Sequence, residues 1–238
     1  MNVDRGLDWD GCRNIRDLGG LSAADGRKTR WGAVVRSANA DRLTPTGWAA
    51  LLAHGVRTVV DLREPEERKP MPPRPAGVTT VNVPLDDTAD TELWDYLREQ
   101  ELDGTSLYFP VFLEHKPERC AQAITAVARA GPGGVLVHCA AGWDRTGLIT
   151  LLLLALVGVS PEDIATDYLL SGPAMAPVFL ELGYDDPLAK VADIHARKGI
   201  TPEQSIAETV AALDGDGYLR AAGVSEVDLT AIRTRLLD

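Results

Sequence analysis

Four short apolar blocks punctuate the chain, at residues 31–36, 56–62, 78–84 and 135–137, and longer stretches with helix punctuation lie between and after them. The blocks have strand length, and 56–62 (Val-Arg-Thr-Val-Val-Asp-Leu) is rich in β-branched residues that suit a pleated surface. Thr44-Pro45-Thr46 opens a helix predicted to run to about His54, where Gly55 stops it. Residues 117–130 form another, ended by Gly131-Pro132-Gly133-Gly134, and a third runs from near Thr146 to about Val157. Ser160-Pro161-Glu162-Asp163 caps a helix to Leu170, and further helices are predicted over 174–183, 187–199, 202–213, 217–222 and 227–237. Residues 12–20 read as an irregular N-terminal segment and 64–75 as a charged, Pro-rich connection. Residues 86–116 read as a mostly helical insertion, a candidate lid, with apolar spots at Leu93, Trp94, Leu97, Leu107, Tyr108 and Phe109. Strands separated by helices predict an α/β fold: a central, mostly parallel sheet flanked by helices, with a helical insertion and a helical C-terminal region. The 238 residues suit a single domain over 1–238.

Composition narrows the class. At 45% hydrophobic and 25% charged, the chain reads as an ordinary globular protein. Its formal net charge of −11 repels nucleic acid and anionic membranes at long range, and no Lys/Arg cluster reads as a nucleic-acid patch. We therefore expect neither as a partner, and a site for an anionic ligand must supply its own positive potential. The longest apolar run, 148–159, is too short to span a bilayer and is better read as a buried helix. The N-terminus is polar and lacks an apolar signal core. The three cysteines, Cys12, Cys120 and Cys139, show neither paired nor metal-like spacing, which suggests a reducing, cytoplasmic compartment, with secretion by another route left open. Oligomeric state is not legible.

The candidate chemistry lies at 135–147, Val-Leu-Val-His-Cys-Ala-Ala-Gly-Trp-Asp-Arg-Thr-Gly. A buried strand running through a tight loop into a helix turns backbone N–H groups inward at the positive end of a helix dipole, which makes an anion cradle. A thiol at its base, Cys139, ionises easily in such a setting. A guanidinium at its rim, Arg145, grips two phosphate oxygens at once. Together they suit nucleophilic attack on a phosphate monoester through a cysteinyl-phosphate intermediate. Cys and Arg at this spacing are a weak signal alone in a chain with 19 arginines. The preceding strand, His138, Gly142, Thr146 and the following helix make it strong.

These residues resemble the His-Cys-x5-Arg-Thr signature loop of the protein tyrosine phosphatase superfamily. Asn14-Ile15-Arg16-Asp17-Leu18-Gly19-Gly20, Arg36-Ser37-Ala38, residues 55–63 and residues 138–147 stand in the order of the motifs of its bacterial and fungal branch, which includes a tyrosine phosphatase with lipid phosphatase activity. Residues 217–224 resemble that branch's C-terminal segment, so the likeness runs from about residue 12 to the end. The resemblance implies a tyrosine phosphatase fold and hydrolysis without metal or other cofactor. It makes Cys139 the nucleophile and Arg145 the phosphoryl clamp, with the backbone of Ala140, Ala141, Gly142, Trp143, Asp144 and Arg145 completing the cradle. Thr146 is expected to hydrogen-bond the Cys139 sulfur, and His138 to orient the loop and stabilise the thiolate.

The leaving oxygen needs a proton. Asp144 lies inside the loop. Asp86 and Asp87 follow the 78–84 strand, where dual-specificity members of the superfamily carry their acid, although an Asp-Asp pair there also reads as a helix cap. The sequence leaves this choice open. Asp17 and Arg16 belong to a motif used near the active site, or form only a structural Arg–Asp pair. Asp61 and Arg63 read as structural, and Arg36 is a further candidate. Lipid-active relatives carry Lys where this chain has Trp143, whose ring offers an apolar wall for a substrate or packs under the insertion. Three functions follow: a tyrosine phosphatase, a phosphatase of a small metabolite or lipid headgroup, or a non-catalytic binder of phospho-ligands.

Overall fold

The computed structural model describes residues 4–70, 73–183 and 186–238. Its strands are β1 (Arg16–Asp17), β2 (Val34–Ser37), β3 (Val56–Asp61), β4 (Thr79–Asn82) and β5 (Gly134–His138). They form one sheet in the order β1-β2-β5-β3-β4. The pairs β2–β5, β5–β3 and β3–β4 are parallel, and β1 joins the edge antiparallel to β2. The expected mostly parallel α/β sheet is therefore present, with a short strand inside the segment read as irregular. Register places Ser37, His138 and Asp61 side by side at one end of the sheet. The chain segments leaving β2, β3 and β5 thus emerge together at the carboxyl ends of the strands, the usual place for a site in such sheets.

Alternation along the strands builds two cores. Val34, Val60, Val135 and Val137 belong to the larger one, while Val35, Val59 and Leu136 belong to the smaller one on the other side. α1 (Pro45–Ala53) is capped by Thr44, whose side chain accepts from the Gly47 N–H, as its sequence predicts. α2 (Thr91–Glu99), α3 (Phe109–His115) and α4 (Pro117–Ala128) follow before β5. α5 (Asp144–Leu156) is apolar nearly all round and buried, which accounts for the 148–159 run without a membrane. The rest is helical: α6 (Pro161–Leu169), α7 (Ser171–Glu181), α8 (Pro187–Arg197), α9 (Pro202–Ala212), α10 (Gly215–Ala221) and α11 (Glu226–Leu236). Among the described residues no helix is long and apolar enough to cross a membrane.

Three boundaries differ from expectation. β2 starts at Val34, not Trp31; Gly32 has φ +72 and turns the chain, leaving Trp31 46% exposed. α5 starts at Asp144 rather than Thr146, which places Asp144 and Arg145 in its first turn. α7 begins at Ser171 and carries Pro177 inside. The 86–116 insertion is packed into the body. Tyr108, Phe109 and Phe112 are buried in the larger core, and Trp94 leans on Tyr108 and Phe112. The buried Ser106 hydroxyl meets His195 Nε2 at 3.0 Å and Ser205 Oγ at 2.9 Å, which ties the insertion to α8 and α9.

Candidate active site

Residues 139–143 connect the end of β5 to α5, and Cys139 sits at their base, 3% exposed. The Gly142 N–H donates to its sulfur at 3.2 Å. Gly142 has φ +67, and a Cβ there would lie 2.2 Å from the Ser37 carbonyl oxygen, so the loop's path against β2 requires glycine. Burial pushes the Cys12 and Cys120 thiols up to about 11 and about 12, leaving both protonated at neutral pH.

The loop is held from outside through its carbonyls. The Asn14 side-chain amide donates to the carbonyls of Ala141 (3.1 Å) and Gly142 (3.0 Å), and Arg36 Nη2 donates to Gly142 at 2.9 Å. The Asn39 N–H donates to the Ala140 carbonyl at 3.0 Å. His138 is fully buried, with Nδ1 3.0 Å from the Cys139 carbonyl and Nε2 3.8 Å from Asp61. Burial lowers its pKa, so the ring is neutral and steadies the loop by hydrogen bonding rather than by charge.

Beneath the loop lies a buried ionic cluster. Asp167 on α6 forms ion pairs with Arg5 (2.8 Å), Arg16 (3.0 Å) and Arg36 (2.6 Å). Ser171 Oγ accepts from Arg16 and Arg36. Burial pushes the Asp167 carboxyl up, but the three guanidiniums outweigh it and hold it well below the usual carboxylate range. Burial and Arg16 push Arg36 down to about 10, so it stays charged at neutral pH. One carboxylate thus serves three cations directly behind the cradle. Asp167→Asn is expected to lower unfolding free energy by about 3–5 kcal/mol, because it strands buried charge. A urea midpoint unchanged from wild type would refute this. Because the folded pKa is depressed, this stabilisation is present above the ordinary carboxylate range and lost as pH falls through the folded value.

Arg145 stands at the rim with its side chain 14% exposed. Glu67 takes it in a two-point grip, with Nη2–Oε1 at 2.8 Å, and Asp86 Oδ2 lies 3.0 Å from Nη1. Burial opposes the guanidinium's charge, but Glu67, Cys139 and Asp86 outweigh it and raise its pKa. Burial also pushes Asp86 up to about 7, against the pull of Arg145. Asp144 is pushed up to about 6, chiefly by burial, and accepts a hydrogen bond from Tyr168 at 3.0 Å.

The remaining predicted residues lie elsewhere. Asp87 is held by Lys116 and Arg119, each at 2.9 Å, and its pKa is lowered, first by Lys116. Its carboxylate is turned away from Arg145. Asp17 does not line the cradle. It accepts from the Gly19 and Gly32 N–H groups and meets His54, at the end of the sheet opposite Cys139. Nor does Asp17 pair with Arg16, because successive strand side chains face opposite ways; the partner of Arg16 is Asp167. The expected bond from Thr146 to the Cys139 sulfur is not made, and Thr146 Oγ1 is buried without a hydrogen-bond partner among the described residues. Trp143 is 9% exposed, packs near Gly172 of α7 and belongs to the larger core with Tyr108, Phe109 and Phe112, so its ring is buried rather than an open wall. Asp61 and Arg63 are joined at 2.8 Å, and the same Arg63 Nη2 meets Asp41 at 2.6 Å. Among the described residues, no group of three or more His, Cys, Asp or Glu could hold a metal ion.

Residues 7–238 match the sequence model of the tyrosine phosphatase family. The chain belongs to that family. A Cupriavidus necator protein bearing the name of a tyrosine-protein phosphatase is 34% identical over 169 residues, which span 68% of this chain and 62% of that protein, a little under two thirds of its length. A tyrosine-protein phosphatase of Nostoc commune is 30% identical across 86% of this chain and 74% of its own. The triple specificity protein phosphatase PtpB of Mycobacterium tuberculosis is 27% identical across 95% of this chain and 97% of its own. Sequence pattern alone assigns no role to Glu67, Asn14 or Asp167. Asn14 opens the 14–20 motif, Glu67 closes the run Glu-Pro-Glu-Glu after β3, and nothing local marks Asp167.

Proposed function

We propose that this family member is a protein-tyrosine phosphatase that works through a cysteinyl-phosphate intermediate. The observation that carries the reading is Cys139 under an inward-facing loop, with the Gly142 N–H on its sulfur and the Arg145 guanidinium at the rim. The Cys139 thiolate attacks phosphorus, an S–P bond forms and the P–O bond to the tyrosyl oxygen breaks. Asp86 gives its proton to that oxygen. Water then attacks phosphorus, its proton passes to the Asp86 carboxylate, and the S–P bond breaks to release phosphate and thiolate. Arg145 and the loop amides hold the phosphoryl oxygens throughout. Asp86 is preferred over Asp144 as donor because its carboxyl faces Arg145, whereas that of Asp144 is bonded to Tyr168 on α6. The names of the relatives and the absence of a lysine at Trp143 favour phosphotyrosine over a phosphoinositide.

Acid quench during turnover of a phosphotyrosine peptide, followed by mass spectrometry, is expected to find a phosphoryl group on Cys139. Steady phosphate release with no adduct on that residue would remove the covalent mechanism.

A further inference from the structure

A cleft of about 790 Å³ lies between two walls that each begin within two residues of a residue touching the phosphate loop or Arg145. One wall begins two residues after Asn39, which donates to the Ala140 carbonyl, and carries Asp41 and Trp48. The other begins one residue after Glu67, which grips Arg145, and carries Arg68, Lys69 and Arg74 among prolines. With consecutive Cα atoms about 3.8 Å apart, Arg68 is a near neighbour of the catalytic rim.

The charge of this cleft runs against that of the chain. The protein as a whole carries −11, yet the cleft presents three cations and one acid. That acid is already committed: Asp41 accepts from Arg63 at 2.6 Å and from Arg74 at 2.7 Å. Arg74 lies over the Trp48 ring at 5.0 Å, which holds its guanidinium in place. Its Nη1 is buried without a hydrogen-bond partner among the described residues. Arg68 bonds Asn82 at 3.0 Å and lies 3.5 Å from Asp61 while its side chain stays 41% exposed, and Lys69 is exposed. Arg63, Arg68, Lys69 and Arg74 set four cations against the two acids that pair with them, Asp41 and Asp61, so positive charge stays in excess in a cleft with an aromatic, proline-rich lining.

We propose that this cleft is a second anion subsite, which receives an acidic or phosphorylated side chain a few residues from the phosphotyrosine of a peptide substrate. The inference rests on the phosphatase reading above and names its substrate class. A peptide spans roughly 3.3–3.6 Å per extended residue, so a few residues bridge cradle and cleft. Trp48 and the prolines supply apolar surface for the intervening chain. Arg68, Lys69 and the free edge of Arg74 supply the donors.

The test compares phosphotyrosine peptides that differ only in flanking charge: Glu on either side, Gln on either side, or Lys on either side. Wild type is expected to prefer the Glu peptide over the Gln peptide by roughly three- to tenfold in kcat/KM. Charge reversal, Arg68→Glu with Lys69→Glu, is expected to invert the order in favour of the Lys peptide. A lost structural contact would lower all three values together and leave their ratios unchanged. Equal kcat/KM for the Glu and Gln peptides, or a preference that survives charge reversal, overturns the subsite. A charge-dependent gain seen with soluble inositol polyphosphates and not with peptides also overturns it. Wild-type turnover of p-nitrophenyl phosphate is measured alongside; its absence would strike the phosphatase reading itself, and its presence localises any failure to the cleft.

Discussion

Cys139→Ser is expected to lower phosphate-ester turnover by roughly 10⁴-fold or more while the protein still binds oxyanions. Serine keeps the size of the side chain but replaces a thiol with a hydroxyl that does not ionise near neutral pH. The cradle does not depend on sulfur for its shape. Its carbonyls are held by Asn14, Arg36 and Asn39, its turn by Gly142, and its rim cation by Glu67. Phosphate or vanadate affinity, measured by calorimetry, should therefore stay close to wild type while turnover disappears. Neither Cys12 nor Cys120 can substitute, since burial keeps both protonated. Hydrolysis by the serine variant at a substantial fraction of the wild-type rate would show that sulfur is not the nucleophile.

The parts of this molecule that were legible in its sequence are those set by local rules. β-branched blocks marked β3 and β5, and Thr44-Pro45 and Ser160-Pro161 marked the starts of α1 and α6 where side chains do cap them. The phosphate loop was legible because nucleophile, glycine and cation all lie within one strand–loop–helix unit. What could not be read depends on residues far apart in the chain. Arg16 invited pairing with its neighbour Asp17, yet strand alternation sends it to Asp167, beyond any local pattern. Glu67 lies in a charged, Pro-rich connection with no local mark of a role, and only the register of β3 beside β5 brings it to Arg145. The two aspartates of the 86–87 pair are equivalent in sequence. Their roles separate because Asp87 adopts φ +53 and turns onto Lys116 and Arg119, leaving Asp86 against Arg145.

That separation gives the second large effect. Asp86→Asn is expected to cut kcat by about 10²–10⁴ on substrates with poor leaving groups, such as phosphotyrosine peptides, the usual worth of general acid catalysis. p-Nitrophenolate leaves without help, so the loss should be much smaller with that ester. The pH profile carries the same signature. A proton donor works only while protonated, and burial pushes Asp86 up to about 7. kcat/KM, which reports the free enzyme, should therefore fall as pH rises past about 7 in wild type, and this basic limb should be missing from Asp86→Asn. The raised pKa has a stability consequence of known sign. The folded state favours the protonated carboxyl, so ionising Asp86 costs stability as pH rises from the ordinary carboxylate range towards about 7, and the asparagine variant is spared that cost. Asp144 is the competing donor, with a carboxyl raised to about 6. Leaving-group dependence and loss of the basic limb in Asp144→Asn, with both intact in Asp86→Asn, would transfer the role to the loop aspartate. Asp87→Asn should show neither change, because its carboxylate neutralises Lys116 and Arg119 rather than facing the cradle.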